Sequence, residues 1–168
     1  MTYLTKLKGA PAPVPPRPSL RELGFIAGGA LIASLLIGYL AHATGQPLIM
    51  GSFGASIFVL FVVPESPFAQ PRNVIAAHCL TTFIGLGFYH WVSPDWWSMA
   101  IALTVAITLI QFLRVPHPPA GSNPVIVFLS GVGWDFLLMP ALIGAVILVV
   151  IAAFYNNLAR DRSYPKYW

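Results

Sequence analysis

The sequence predicts an all-α integral membrane protein with six transmembrane segments. Hydrophobic residues make up 57% of the chain and charged residues 8%, whereas typical soluble domains contain about 25% charged residues. Apolar runs also recur along the chain and are separated by short polar stretches. The runs cover residues 20–43, 48–63, 74–92, 96–113, 125–130 and 136–155.

Two of these runs, 48–63 and 125–130, are short, since a regular helix needs about 20 residues to cross a bilayer. If both cross and the N-terminus is inside, all nine Lys and Arg residues fall on the cytoplasmic side. The alternative, four spans with two re-entrant half-helices, would place Arg72 and Arg114 outside. The positive-inside rule therefore favours six spans, with both termini cytoplasmic, and we expect the inner membrane of a bacterium.

The chain divides into one membrane domain and two tails. Residues 1–18 are rich in proline and predict an extended cytoplasmic tail. Residues 19–158 form the membrane domain, and Ser19 with Glu22 three positions later matches a capping box at its first helix. Residues 159–168 form a short cytoplasmic C-terminal tail.

The order of long, short and long spans occurs twice. Aligning the two short runs places Gly54 over Gly121 and Phe61 over Phe128, with small polar residues before an apolar stretch in both. Three spans per half require the halves to be inverted in the membrane, and paired broken helices mark the binding site of inverted-repeat transporters. The sequence therefore predicts a 3+3 inverted repeat with two short broken helices.

The stretch from His117 to Pro124 is the strongest functional candidate. Its three prolines and its glycine are poor helix formers, and Asn123 before Pro124 is typical of a helix N-cap. Non-helical backbone at membrane depth is tolerated only where protein buries it or where it lines a wet cavity. We expect the glycine-rich 51–56 stretch to be unwound in the same way.

Helices that begin near Ser56 and Asn123 would present unpaired N–H groups and partial positive charge near the midplane. Two such ends form an anion site without a lysine, and no carboxylate lies inside a span to serve a cation. A small anion or a neutral solute is therefore favoured, while the alternative is plain packing of small residues. The candidate binding residues in the two stretches are Gly51, Ser52, Gly54, Ala55, Ser56, Pro118, Pro119, Gly121, Ser122 and Asn123.

Three ionisable residues complete the candidate site. His117 follows Arg114 at the expected inner mouth, where it could gather anions or supply a proton, or be an interfacial histidine bonded to a carbonyl. His78 lies well inside the third long run, where a pore role is possible. Arg114 could fix topology or attract anions.

The sequence contains no constellation typical of an enzyme. It has no nucleophile elbow, no HExxH and no phosphate loop, and its four histidines lack the i, i+4 spacing of a helical metal site. Cys79 is the single cysteine, so no disulfide framework exists. Basic residues form no stripe along a helix, so we expect no nucleic-acid partner, and we expect no cofactor.

Four motifs resemble the HPP family of integral membrane proteins, which is named for the tripeptide His117-Pro118-Pro119. They are residues 51–56, 66–73, 117–124 and 164–168. The resemblance covers almost the whole chain beyond residue 18. It implies nitrite transport, which is reported for plastid and cyanobacterial members.

The sequence therefore predicts a transporter or channel for a small monovalent anion, nitrite first, in a lipid bilayer. The alternatives are a channel for a small neutral solute and a non-transporting membrane assembly partner. A chain of this size could form dimers or trimers, although no residue pattern specifies either.

Overall fold

A computed structural model describes residues 3–7, 13–45 and 51–168, and this part of the chain is helical without strands. The predicted all-α architecture is therefore confirmed. The helices are α1 (Tyr3–Leu7), α2 (Leu20–Thr44), α3 (Gly51–Val62), α4 (Pro71–Trp91), α5 (Trp96–Phe112), α6 (Asn123–Ser130) and α7 (Ile143–Asn156). Short 3₁₀ segments occupy Pro67–Ala69 and Pro118–Ser122, and a kinked segment at Leu137–Leu142 precedes α7.

Three segments are long and apolar enough to cross a membrane. They are Leu20–Ala43, Pro71–Trp91 and Leu137–Asn156. The helices α3 and α5 are apolar but shorter, and α6 has eight residues, which is about 12 Å of helix. The inverted relation of the two halves stays a prediction.

Helix α2 begins as the sequence predicts, because the Ser19 hydroxyl accepts a hydrogen bond from the Glu22 N–H at 3.2 Å. The tail before it differs in part from the extended chain that we expected. Tyr3–Leu7 forms a one-turn helix, while Pro13–Pro18 has no regular structure.

The prediction that residues 51–56 are unwound is wrong. Helix α3 is regular from Gly51, so Ser56 lies inside it and not at its start. The segment contains no proline, and the Ser56 hydroxyl lies 2.9 Å from the Ser52 carbonyl, one turn earlier. Glycine and serine weaken a helix only modestly, and buried packing of Ser52, Phe53 and Ser56 outweighs that cost.

The 117–124 stretch is broken as predicted. Pro118–Ser122 is a 3₁₀ segment and α6 starts at Asn123, with Pro124 in its first turn. The N-cap position is held by Ser122, without a side-chain cap, so the predicted capping role of Asn123 is wrong. The Asn123 side chain is directed at α4 instead.

The last apolar run is also interrupted, which the sequence analysis missed. Met139 has φ −137° and ψ 114°, which are not helical values, and Pro140 follows it. Because proline lacks an N–H donor, the helical ladder is broken there and resumes in α7.

Contacts of Arg72, Arg114, Arg162 and Lys166 join distant segments of the chain, and we call the region that they form the basic end. Arg72 donates from Nη1 to the Arg114 carbonyl at 3.1 Å, which joins the start of α4 to the end of α5. Arg162 lies 3.8 Å from Glu22, which joins the C-terminal tail to the start of α2. These contacts place the basic residues of distant segments together, whereas the side of the membrane that this end faces stays a prediction.

The C-terminal tail is docked on the loop that precedes α4. The Tyr164 hydroxyl donates to the Ala69 carbonyl at 2.8 Å, and burial raises the pKa of this phenol. Gln70 Oε1 accepts from the Lys166 N–H at 2.7 Å. The Lys166 ammonium, 2.8 Å from the Glu65 carboxylate, lowers the pKa of this exposed carboxyl group. Two of the quoted motifs, 66–73 and 164–168, therefore contact each other.

Helix α4 lies against both α5 and α6, and its contact with α6 depends on Gly85. A Cβ atom at this position would lie 2.8 Å from the Cα of Pro124. Since the obstacle is backbone, it cannot turn away, and only a residue without a side chain allows this approach.

We expect Gly85→Ala to destabilise the protein by roughly 1–3 kcal/mol through overpacking against α6. Gly24→Ala is the matched control, because a Cβ at Gly24 of α2 meets nothing within 4 Å. The measurement is the thermal unfolding midpoint in detergent micelles. Equal midpoints for the two variants would contradict the close approach.

Candidate functional site

Four polar side chains from distant parts of the chain meet in the interior, and we call them the buried cluster. They are Ser56 of α3, His78 of α4, His117 before the 3₁₀ segment, and Asn123 of α6, each with 0% exposure. Ser56 Oγ lies 2.9 Å from His78 Nε2 and 2.8 Å from His117 Nε2. Asn123 Nδ2 lies 3.0 Å from His78 Nδ1. All four were candidates from the sequence, and the structure brings them together.

The local sequence explains how these side chains reach one another. His78 and Thr82 are four residues apart on α4 and therefore share a face of that helix. One hydrogen of Asn123 Nδ2 is donated to Thr82 Oγ1 at 2.9 Å, and the other is shared between the His78 carbonyl at 3.2 Å and His78 Nδ1 at 3.0 Å. Pro124 follows Asn123 directly and lies in the first turn of α6, a position where proline favours the start of a helix.

The hydrogen bonds define the protonation of the neutral cluster. The His78 carbonyl can only accept, so it fixes the Asn123 amide with Nδ2 toward α4. His78 Nδ1 therefore accepts, and its Nε2–H donates to the Ser56 oxygen. His117 Nδ1–H donates to the Phe68 carbonyl at 2.7 Å, which leaves His117 Nε2 to accept the Ser56 proton.

His117 differs from the expected position at an inner mouth. It is fully buried, and its bond to the Phe68 carbonyl agrees with the carbonyl-bonded alternative. Its other nitrogen joins the buried cluster. The residue therefore links the loop before α4 to α3.

Two buried polar atoms next to the cluster have no hydrogen-bond partner within the described part of the chain. They are Ser52 Oγ, one turn before Ser56, and Asn123 Oδ1. An unpaired polar atom away from water costs free energy, and a bound water, ion or solute would supply these two atoms with a partner. Ser52 Oγ is a potential donor, and Asn123 Oδ1 is an acceptor.

Two cavities flank the 3₁₀ segment. The first, of about 480 Å³, lies against α5 and is lined in part by Phe68, Gln111, His117, Pro118 and Gly121. We call it the Gln111 cavity. The second, of about 450 Å³, lies against α3 and is lined by Gly51, Ser52, Ala55, Phe58, Val59, Pro118, Pro119 and Ser122. We call it the Gly51 cavity.

The remaining sequence candidates do not join the cluster. Gly54 is exposed, and a Cβ there would meet nothing within 4 Å. Arg114 is exposed at the basic end, where its carbonyl binds Arg72. The Ser56 N–H belongs to the sixth residue of α3 and is used inside the helix, so it cannot bind an anion as we expected.

Sequence reasoning missed two members of the site. Thr82 could have been found from its four-residue spacing to His78 on one helix. No sequence pattern could have identified the Phe68 carbonyl, because the position of a main-chain acceptor depends on the path of the loop and not on residue type.

The cluster is polar without formal charge in the neutral state described above. Within the described ranges, no group of three His, Cys, Asp or Glu side chains is placed to hold a metal. Two imidazoles, a hydroxyl and an amide around unpaired polar atoms are suited to contact a small polar solute or to exchange a proton.

We expect Ser56→Ala to destabilise the fold by about 1–3 kcal/mol, because it leaves Nε2 of both His78 and His117 buried without a partner. Ser52→Ala is the matched control on the same helix, at 2% exposure, since its hydroxyl has no partner to lose. Chemical denaturation in micelles measures both. A Ser52→Ala variant as unstable as Ser56→Ala would contradict these assignments.

Comparisons with known proteins agree over nearly the whole chain. A family model described as "HPP, transmembrane region" matches residues 15–165. A transmembrane protein of Dictyostelium discoideum is 36% identical over 167 residues, which cover 92% of this chain and 58% of that protein. A second transmembrane protein of the same organism is 29% identical over 178 residues, which cover 99% of this chain and 57% of that relative. The chain thus spans less than two thirds of these relatives, and no solved structure matches it.

Proposed function

We propose that this chain, which belongs to the HPP transmembrane family, carries a small monovalent anion across a membrane, with nitrite as the first candidate. Family membership and its long apolar helices identify it as an integral membrane protein. The observation that carries the proposal is the buried cluster, a polar centre inside otherwise apolar helices. Polar and ionisable groups in such places are expensive and mark solute pathways.

The chemistry around the cluster favours a small anion over a cation. The imidazole N–H groups and the Ser56 hydroxyl are already bonded within the protein, and the unpaired Ser52 hydroxyl is the donor beside the cluster that a solute could use. Within the described ranges, no carboxylate forms an ion pair or hydrogen bond with the cluster. Nitrite has three heavy atoms and fits readily in either of the cavities beside the 3₁₀ segment.

The charge distribution supports entry from the basic end. Arg72 and Arg114 are exposed there and raise the local concentration of anions. Phe68 and His117 both border the Gln111 cavity, and the Phe68 carbonyl contacts His117, so this cavity lies beside both the loop and the cluster. We propose that the basic end and both tails face the cytoplasm of a bacterial cell.

A neutral solute is the second candidate, and Asn123 Oδ1 favours it. This unpaired acceptor calls for a hydrogen donor, which nitrite lacks and a neutral solute or water provides. A non-transporting assembly partner is the third candidate and would show no flux. Association into dimers or trimers stays a prediction from chain size.

We expect purified protein in liposomes to take up nitrite faster than empty liposomes. His117→Ala and Asn123→Ala should each lower the initial rate at least about tenfold, the equivalent of about 1.4 kcal/mol, which is within the range for lost buried hydrogen bonds. His42→Gln is the matched control, because His42 is exposed near the end of α2.

The same preparation distinguishes the rival functions. If the liposomes swell in urea or glycerol but take up no nitrite, the transported substrate is a neutral solute and not an anion. Absence of any flux, with a second subunit retained on purification, would support the assembly partner.

A further inference from the structure

We propose that His117 takes up one proton with each anion, so that nitrite and a proton cross together without net charge. This inference rests on the proposed transport of a small anion and adds a co-substrate to it. The geometry around Ser56 carries it, because that hydroxyl has two acceptors within reach and can serve either protonation state of His117.

In the neutral state, the 2.8 Å contact between Ser56 Oγ and His117 Nε2 must contain one proton. His117 Nδ1 already holds the ring proton, which it donates to the Phe68 carbonyl. The Ser56 hydroxyl therefore donates to His117 Nε2. The Ser56 oxygen meanwhile accepts from His78 Nε2–H.

In the protonated state, the same heavy-atom positions remain fully bonded. His117 Nε2–H then donates to the Ser56 oxygen, and the Ser56 proton turns to the Ser52 carbonyl, 2.9 Å away. The two lone pairs of the Ser56 oxygen accept from the two imidazoles. Protonation thus requires a rotation of one hydroxyl and no movement of helices.

His78 is less suited to take the proton. Its Nδ1 accepts from Asn123 Nδ2, and an added proton there would face an N–H group. Turning the Asn123 amide would remove that conflict but would place its oxygen against the His78 carbonyl, now 3.2 Å from Nδ2. The structure therefore assigns His117 as the proton acceptor.

Among residues 3–7, 13–45 and 51–168, no carboxylate forms an ion pair with His117 that would balance its positive charge. Arg114 on its own segment and the neighbouring Arg72 are exposed at the basic end and are both cationic. The acidic groups Glu22 and Glu65 are paired with Arg162 and Lys166. The elements packed around His117 present Ser52 and Ser56 from α3, His78 from α4, the Phe68 carbonyl, and Ile110 and Gln111 from α5.

A buried cation without a partner is strongly disfavoured, and so is a buried anion. When the two enter together, each is the counter-ion of the other, so the anion binds best when His117 is protonated. On release, the anion leaves the cavity and His117 Nε2 gives its proton to water on the same side. One proton and one nitrite ion therefore move per cycle, and no covalent bond changes.

The test uses the full chain in liposomes that contain a pH-sensitive dye. With an inward nitrite gradient at pH 7.5, we expect internal acidification of one proton per nitrite, above that of empty liposomes, in which nitrous acid permeates passively. Changing the membrane potential with potassium and valinomycin should leave the rate unchanged. Nitrite uptake that follows the potential and carries no proton would overturn the coupling but keep the proposed transport. No nitrite uptake above empty liposomes would overturn both.

A variant and a spectroscopic measurement assign the proton to His117. We expect His117→Gln to lower the proton-coupled nitrite flux at least tenfold. His42→Gln should keep the wild-type ratio of protons to nitrite. Unchanged stoichiometry and rate in His117→Gln would overturn the assignment.

The spectroscopic measurement remains decisive if His117→Gln fails to fold. In ¹⁵N NMR of histidine side chains in nanodiscs, addition of nitrite to the wild-type protein at pH 7.5 should convert one histidine to imidazolium, and the same change should appear in His42→Gln. Nitrite transport with every histidine remaining neutral would overturn the assignment.

Discussion

The Ser56 hydroxyl is the contact on which the arrangement of the interior depends. It lies between the imidazoles of His78 and His117 and so connects α3, α4 and the broken segment before α6. Buried hydrogen bonds of this kind have few alternatives in an apolar surrounding, and leaving one of them unmade is costly. The contact therefore fixes the relative position of three segments.

The broken segment exists because of its prolines. Pro118, Pro119 and Pro124 remove backbone donors from consecutive turns, so the chain forms a 3₁₀ segment and restarts as a helix at Asn123. This restart brings Asn123 against α4, where Gly85 permits close approach to Pro124. Cavities on both sides of the segment leave room for a solute beside the cluster.

The four short motifs quoted from the sequence group into two contacting pairs. Residues 51–56 and 117–124 meet at the cluster and the Gly51 cavity. Residues 66–73 and 164–168 meet at the basic end, where Gln70 and Tyr164 dock the C-terminal tail. The His117 bond to Phe68 joins the two pairs, so the tail supports the loop whose carbonyl orients the imidazole. The docked C-terminal tail and the candidate site are therefore connected through the Phe68 loop.

The sequence by itself determined the membrane class, the positions of the apolar helices and the break at 117–124, because hydropathy and proline act locally. It also identified Ser56, His78, His117 and Asn123 as candidates. The tertiary structure decided that side chains, and not the start of α3, meet at the candidate site, because α3 is helical from Gly51 and its inner amides are already bonded. It also decided the role of the Phe68 carbonyl and the tautomers of the histidines. Those features depend on contacts between residues far apart in the chain, which local pattern does not specify.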